Sequence, residues 1–264
     1  KGEYFWRELT IGNEWVPVYQ SITNLAVLND SPNPDIVSNR VGHVLLSKTP
    51  ETFLHDHDGN LVQDGLWTNI WNGENRLVRT ESLSTVPEGA RARVDWTYLP
   101  DGRWIERVVS TWVGGDYVPQ STNRFVWDGQ VLLCILDENN AVTLSFMRGL
   151  DLSGSMQGAG GVGGLLAVTD HSATDTHFVG NDGNGNVILL VSAANGEESG
   201  RYGYSPFGET IRITGHAAKA NPIRFSTQLT DVTGDSKYLF REYRPTTGRW
   251  LSRDPINEIG FKVL

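Results

Sequence analysis

Paired Asx and Gly residues recur along this sequence and constrain its fold more than any other feature. Asn, Asp and Gly are the residues that best tolerate positive φ at the centre of a two-residue β-hairpin turn. Such dipeptides include Asp58-Gly59, Asp64-Gly65, Asn72-Gly73, Asp101-Gly102, Asp128-Gly129, Asp182-Gly183 and Asn195-Gly196. Their distribution predicts a succession of two-residue hairpins through the middle of the chain.

The segments between these turns alternate apolar and polar residues. Alternation is clear in segments 93–98, 104–109 and 141–146, and a period of two residues is typical of a strand with two different faces. The hairpin segments also resemble one another at intervals of roughly 20 to 30 residues, which indicates a sheet built from stacked repeats. We therefore predict an all-β chain of consecutive hairpins.

Composition excludes several classes of function. The net charge is −9 and no basic cluster occurs, which argues against a nucleic-acid partner. Cys134 is the single cysteine, so the chain can form neither an internal disulfide nor a cysteine-based zinc site. No apolar stretch approaches the roughly 18 residues of a membrane-spanning helix, so no membrane span is expected.

Two blocks of sequence resemble a known family. The first combines Asp58-Gly59-Asn60-Leu61 with Trp71-Asn72-Gly73 and resembles the YD repeat, in which an aromatic residue, an Asp and a Gly mark each hairpin. The second resembles the Rhs repeat-associated core and comprises Tyr204-x-Pro206-Phe207-Gly208-Glu209 and Arg241-x-Tyr243-x-Pro245-x-x-Gly248-Arg249-Trp250-Leu251-Ser252-Arg253-Asp254-Pro255. The chain is thus similar to the C-terminal part of an Rhs/YD-repeat protein.

This resemblance implies a fold and a role. In the family, a hairpin-rich strip of sheet curls or spirals into a shell that encapsulates and releases a C-terminal toxin. A chain of 264 residues is expected to form an open strip instead of a closed shell. We divide it into N-terminal strands (1–52), a YD-repeat sheet (53–210) and the core motif (211–264).

The resemblance also implies partners and a location. The expected partners are the remainder of the Rhs shell or the toxin of the parent protein. Unpaired strand edges also favour a homo-oligomer. The family context implies a bacterial protein that is secreted or associated with the cell surface.

The core motif implies specific site residues. Asp254 matches the catalytic aspartate of family members that cut their toxin free by an aspartyl autoprotease reaction. The usual partner aspartate belongs to a second Asp-Pro element, and the sequence contains none after Asp254. Arg249 and Trp250 are expected to form the core plug. Three positions depart from the family pattern: Asp235, Arg244 and Asn257.

A metal- or histidine-dependent hydrolase is an alternative function. His55, His57 and Asp58 form a candidate metal cluster, because alternate residues of a strand face the same side. The competing interpretation is an ordinary polar turn. No organic cofactor is expected, and a divalent metal is the one cofactor that this pattern allows.

Two further histidine motifs and a glycine-rich segment complete the candidates. Asp170-His171 and Asp175-x-His177 could each supply half of a catalytic triad with Ser155 or Ser172. The glycine-rich segment 158–164 lacks the Lys-Ser/Thr ending of a phosphate-binding loop, so we interpret it as the connection from the strand near 147–150 to the next hairpin.

A carbohydrate or cell-surface binding module is the remaining alternative. Exposed tryptophans could stack on sugar rings, whereas buried ones would anchor the packing of the sheet. Trp67, Trp71 and Trp104 lie within the repeats, and this position favours packing.

Overall fold

The computed structural model describes residues 7–29 and 32–255. Strand accounts for 49% of the described residues and helix for 4%, which confirms the all-β prediction. The strands are β1 Val18–Leu28, β2 Ile36–Leu46, β3 Leu54–His55, β4 Leu61–Gln63, β5 Trp67–Trp71, β6 Leu77–Ser82, β7 Ala92–Tyr98, β8 Trp104–Val113, β9 Asp116–Asp128, β10 Val131–Leu136, β11 Val142–Arg148, β12 Leu165–Asp170, β13 Asp175–Asn181, β14 Val187–Ser192, β15 Glu198–Tyr204, β16 Thr210–Thr214, β17 Leu229–Thr230, β18 Ser236–Lys237, β19 Glu242–Arg244 and β20 Arg249–Trp250. One short helix, α1, spans His216–Ala220, and 3₁₀ turns lie at Glu88–Ala90 and Phe225–Thr227.

The strands form three antiparallel sheets. Strands β3 to β16 form one fourteen-stranded sheet, here called the long sheet, in which every strand pairs with the next along the chain. Strands β1 and β2 form a separate hairpin, and β17 to β20 form a four-stranded terminal sheet. No sheet in the described residues closes into a barrel, so the predicted open, hairpin-rich architecture is confirmed. The division at 52/53 and 210/211 stays a prediction.

Helices contribute little to the structure. Across the described ranges, no helix is both long enough and apolar enough to cross a membrane.

Seven hairpin turns share one five-residue geometry. The N–H of the first residue donates to the carbonyl of the fifth, and the N–H of the fourth donates to the carbonyl of the first. These turns begin at Asp56, Asn72, Leu99, Asp137, Asp182, Ser205 and Asp231. Their fourth residues all have positive φ, between 55° and 94°: Gly59, Asn75, Gly102, Asn140, Gly185, Gly208 and Gly234. This is the geometry of a type I turn followed by one left-handed residue.

The predicted two-residue turns are therefore wrong at several positions. In the turns of Asn72-Gly73 and Asp182-Gly183, positive φ occurs two residues later, at Asn75 and Gly185. The reason is local hydrogen bonding, because the Asn72 side-chain oxygen accepts the N–H groups of residues 74 and 76, each at 3.0 Å. Two-residue loops do connect β8 to β9 and β9 to β10.

One face of the long sheet carries the main core. In β7, Val94 and Trp96 are buried, whereas Asp95 between them pairs with Arg79 and Arg93 on the other face. Trp104 is the centre of an aromatic cluster and makes edge contacts with Trp96, Phe125 and Trp127 at centroid distances of 5.5, 4.6 and 4.5 Å. The predicted packing role is confirmed for the buried Trp67 and Trp104, while Trp71 packs half-buried against a smaller cluster.

The glycine-rich segment joins β11 to β12, as predicted, and it is organised by one carboxylate. Asp151 Oδ1 accepts the N–H and the hydroxyl of Ser153, and Oδ2 accepts the N–H groups of Ala159 and Gly161 at 2.7 and 3.1 Å. These hydrogen bonds, that of the Ser153 hydroxyl first, lower the pKa of Asp151 to about 2.

Replacing Trp104 by Ala is expected to lower the free energy of unfolding by about 3–5 kcal/mol, because it leaves a cavity within the aromatic cluster. Urea unfolding followed by circular dichroism measures the change. Trp15 is 85% exposed, and Trp15→Ala is the matched control with an expected change within about 0.5 kcal/mol. Equal effects of the two substitutions would contradict this assignment of the core.

Asp151→Asn is expected to lower the melting temperature at neutral pH, because the amide accepts the loop N–H groups less strongly than a carboxylate. The folded-state pKa lies below the ordinary value of 3.8. The stabilising effect is therefore complete above that value and disappears as the pH falls towards about 2. Melting temperatures of both proteins against pH provide the test, with the exposed Asp116→Asn as control. A difference that vanishes already at about pH 5 contradicts the proposed cause.

Candidate functional site

The terminal sheet packs against the first strands of the long sheet. The Leu61 N–H donates to the Leu251 carbonyl at 2.7 Å, and the Trp104 indole N–H donates to the Tyr238 carbonyl at 3.2 Å. Gly102 has a φ of +94°, and a Cβ there would lie 3.1 Å from the Phe240 ring. The absence of a side chain at this turn therefore permits the close approach of the terminal segment.

A buried arginine lies at the centre of this contact. The guanidinium of Arg244 donates to both oxygens of Asp235 at 2.9 and 2.8 Å and also pairs with the carboxylate of Asp64. Their side chains are 8%, 8% and 1% exposed, respectively. Burial lowers the pKa of Arg244 to about 10, so it remains a cation at neutral pH, and burial raises the pKa of Asp235.

Two further ion pairs lie near Arg244, the buried Lys237–Glu242 pair and the partly buried Arg107–Asp231 pair. Lys237 contacts the Glu242 carboxylate and the Tyr98 hydroxyl, and its ammonium lies 4.6 Å from the centre of the Trp96 ring. Arg107 of the long sheet pairs with Asp231 at 2.8 Å. Burial, reinforced by the nearby Glu242 carboxylate, raises the pKa of Tyr98 well above its usual range. Three pairs of opposite charge are thus enclosed between the two sheets.

A cavity of about 470 Å³ opens beside this contact, between the first hairpin turns and the end of the terminal segment. Charged side chains dominate its wall: Asp58, Glu74, Arg76, Asp101, Glu242, Arg253 and Asp254. Asp254 Oδ2 also pairs with Arg241 at 2.8 Å. The structure therefore places Asp254 and Asp58 on the same cavity, and this wall suits a polar or charged ligand.

Of the three predicted metal ligands, only Asp58 lines this cavity. His55 lies on β3 and His57 in the turn that follows, both are exposed, and neither lines the cavity that Asp58 lines. The neighbouring Asp56 carboxylate accepts both the backbone N–H and the side-chain amide of Asn60 at 2.8 and 2.9 Å. The turn thus accounts for the polar side chains of Asp56 and Asn60.

The predicted plug residues lie on the outer strand of the terminal sheet. Arg249 and Trp250 form β20 and are both exposed. Trp250 contacts Tyr238 and Tyr243 edge-on, and the guanidinium of Arg241 lies 4.0 Å from its ring centre. These contacts stay within the terminal segment, whereas the ion pairs to the long sheet come from other residues.

Sequence reasoning missed the role of those other residues. Arg244 and Asp235 were noted only as departures from the family pattern, and the structure shows that they pair with each other. The sequence did contain a signal for this pairing, because two residues of opposite charge, nine positions apart, both depart from the family pattern. The third departure, Asn257, lies outside the described residues.

A second cluster lies at the other end of the long sheet. Asp175 and His177 occupy β13, and His216 begins α1. Asp175 Oδ2 lies 3.9 Å from His216 Nε2, and the two imidazole centres are 5.6 Å apart. In the part of the chain that the structure describes, these three form the one set of at least three ligand-type side chains whose ligand atoms lie within 4.8 Å of one another.

The surroundings of His177 define the chemistry of this cluster. His177 is buried, and its Nδ1 lies 2.9 Å from the Ser199 hydroxyl, not from Ser155 or Ser172. Within the described residues, His177 therefore makes its side-chain hydrogen bond to a serine other than the two considered for a triad. Burial lowers the pKa of His177, the His216 charge adds to this effect, and the carboxylates of Asp175 and Asp170 oppose it. The neutral imidazole, which is favoured here, is the form that binds metals.

Solved structures to which this chain is similar include TcdB2-TccC3 and a Tc holotoxin pore. The chain is similar to TcdB2-TccC3, with a TM-score of 0.53 and 17% identity over 95% of this chain and 15% of that chain. It is similar to TcdB2-TccC3-Cdc42 with a TM-score of 0.54 and 17% identity over 95% and 15%. For a Tc holotoxin pore of Photorhabdus luminescens the TM-score is 0.52, with 17% identity over 92% and 14%.

These comparisons establish an Rhs-like fold and no more. This chain spans about 15% of the length of the toxin chains it matches. No protein-family model matches the chain, and no curated protein sequence matches it.

Arg244→Met is expected to lower the free energy of unfolding by about 3–5 kcal/mol, because two buried carboxylates lose their counterion. Urea unfolding measures the loss. The exposed Arg249 lies in the same small sheet and serves as the matched control, with an expected change within about 0.5 kcal/mol for Arg249→Met. If Arg244→Met were as stable as this control, the ion pairs would not hold the terminal sheet.

Proposed function

We propose that this chain is a wall segment of an Rhs/YD-repeat shell, and that its terminal sheet is the core element attached to that wall. The single observation that carries the proposal is the buried contact between the two sheets, with Arg244 paired to Asp64 across 180 residues of sequence. Such a contact attaches one defined element to one defined place on a long sheet.

The architecture of the long sheet supports the wall role. Each of its strands pairs only with its neighbours in sequence, so further hairpins can extend the sheet without rearranging it. The outer strands are β3 and β16, and in the described residues each pairs on one side alone. A strand edge with unpaired backbone groups favours the addition of another strand. The proposed partner is therefore the remainder of the same shell.

The similarity to Tc toxin chains supports the biological context of the proposal. The shell of the parent protein would hold a C-terminal toxin, and the parent would be a secreted or surface-associated bacterial protein. The match to this chain covers 15% of the length of a matched toxin chain, so enclosure of a cargo requires the other strands of the shell.

Electron cryomicroscopy of the protein encoded by the complete gene tests this function. We expect a continuous sheet around an internal space, with strands β3 to β16 forming part of the wall and β17 to β20 bound to its inner face. A compact sheet that encloses no space, or a terminal sheet bound to the outer face, would contradict the proposal.

Cleavage of the parent protein at the charged cavity is a second candidate function. It is favoured by the position of Asp254 and Asp58 on one cavity wall. Two carboxyl groups that share a proton can activate water for peptide hydrolysis. Asp254 would act as one of the pair, and Arg241, at 2.8 Å, would orient its carboxylate.

Intact-mass measurement of the full-length gene product tests this second function. We expect two fragments from the unaltered protein and a single uncut chain from Asp254→Asn. Asp116→Asn removes an exposed carboxylate at the start of β9 and should leave the cut unchanged. A full-length mass for the unaltered protein, or normal cleavage of Asp254→Asn, would rule out the Asp254 mechanism.

A further inference from the structure

We propose that Asp175, His177 and His216 bind one Zn²⁺ ion through two imidazoles and a carboxylate. The three ligand atoms lie within 4.8 Å of one another. Zinc bonds of about 2.0–2.2 Å in a tetrahedral arrangement require ligand atoms about 3.4 Å apart. Shifts of roughly 1 Å therefore complete the site, and the Asp175 and His216 side chains are 48% and 70% exposed, which permits such shifts.

The local structure holds the buried ligand in place. His177 lies on β13 two residues after Asp175, so their side chains share one face of the strand. In the proposed tautomer, His177 donates its Nδ1–H to the Ser199 hydroxyl and keeps the Nε2 lone pair for the metal. Orientation of a metal-binding histidine by a second hydrogen bond is a regular feature of zinc sites.

The space around the cluster leaves room for further ligands. A cavity of about 230 Å³ is lined by all three residues and by apolar side chains that include Leu144, Val168 and Leu190. Asp170 also lines it, but its Oδ1 already accepts the N–H groups of residues 172 and 173. We therefore assign three protein ligands and a water molecule as the fourth.

The position of the site suggests what the ion does. His216 follows β16, the last strand of the long sheet, and it begins the helix whose Ala217 and Ala218 are buried. Tyr202 of β15 donates its hydroxyl to the Ala218 carbonyl at 2.9 Å. A metal that joins His216 to β13 would attach the chain a second time at the point where it leaves the long sheet for the terminal sheet. The ion therefore stabilises this connection between the two sheets.

Isothermal titration of the whole chain with Zn²⁺ tests the site. We expect one ion per chain and at least about tenfold weaker binding by His216→Ala, since one of three protein ligands is lost. His216 is exposed, so this variant should fold as the unaltered chain does. His171→Ala is the matched control, because this exposed histidine lies outside the cluster and contacts Ser145 at 2.9 Å.

Two further measurements distinguish a built site from surface binding. Zn²⁺ should raise the melting temperature of the unaltered chain and of His171→Ala but not of His216→Ala, and Mg²⁺ and Ca²⁺ should have no effect because they prefer oxygen ligands. Co²⁺ should give the visible absorption of a four-coordinate site only in the two chains that retain the cluster. Absence of one-to-one Zn²⁺ binding, or equal affinity in all three chains, overturns the proposal.

Discussion

The buried guanidinium of Arg244 joins the terminal sheet to the long sheet, and the arrangement of the first strands and the terminal segment depends on that contact. A charge removed from water is tolerated only when its hydrogen-bonding groups are satisfied, and Asp235 and Asp64 satisfy Arg244 from opposite sides. In the neighbouring Lys237–Glu242 and Arg107–Asp231 pairs, each charged side chain likewise has a partner of opposite charge. A shift of the terminal sheet by one residue would separate Arg244 from Asp64 and Asp231 from Arg107, so these charges select a single docked position.

The long sheet provides the regular surface on which the terminal sheet docks. Six of the five-residue turns lie in this sheet and return the chain in the same way each time, because an Asx, Ser or Leu residue at the first position and a left-handed residue at the fourth close the same two hydrogen bonds. The aromatic cluster around Trp104 then fills one face of the sheet. Because every strand pairs with its sequence neighbour, the register errors open to non-local sheets are few, and the fold can grow by repetition.

The residues that line the two cavities could be predicted from the sequence to different extents. Asp254 was identified by resemblance, and its position on a charged cavity could not be foreseen, because Asp58 and Asp101 reach that cavity from hairpins far away in sequence. Asp175-x-His177 was visible as an alternating pair. His216 was not associated with this pair, because strands β14 to β16 separate His216 from β13 along the chain. The predicted set of His55, His57 and Asp58 followed the same alternation, but His55 on β3 and His57 in the turn after it are both exposed.

The sequence by itself determined the all-β class, the order of the hairpins and the place of the loop between β11 and β12. These properties follow from short-range physics: side chains alternate along a strand, and Asx and Gly residues close turns within five positions. The tertiary structure alone decided the partners of Arg244 and the position of His216. These two properties depend on which distant groups become buried together. The energy of a buried charge depends on its partners, and only the folded chain brings those partners within hydrogen-bonding distance.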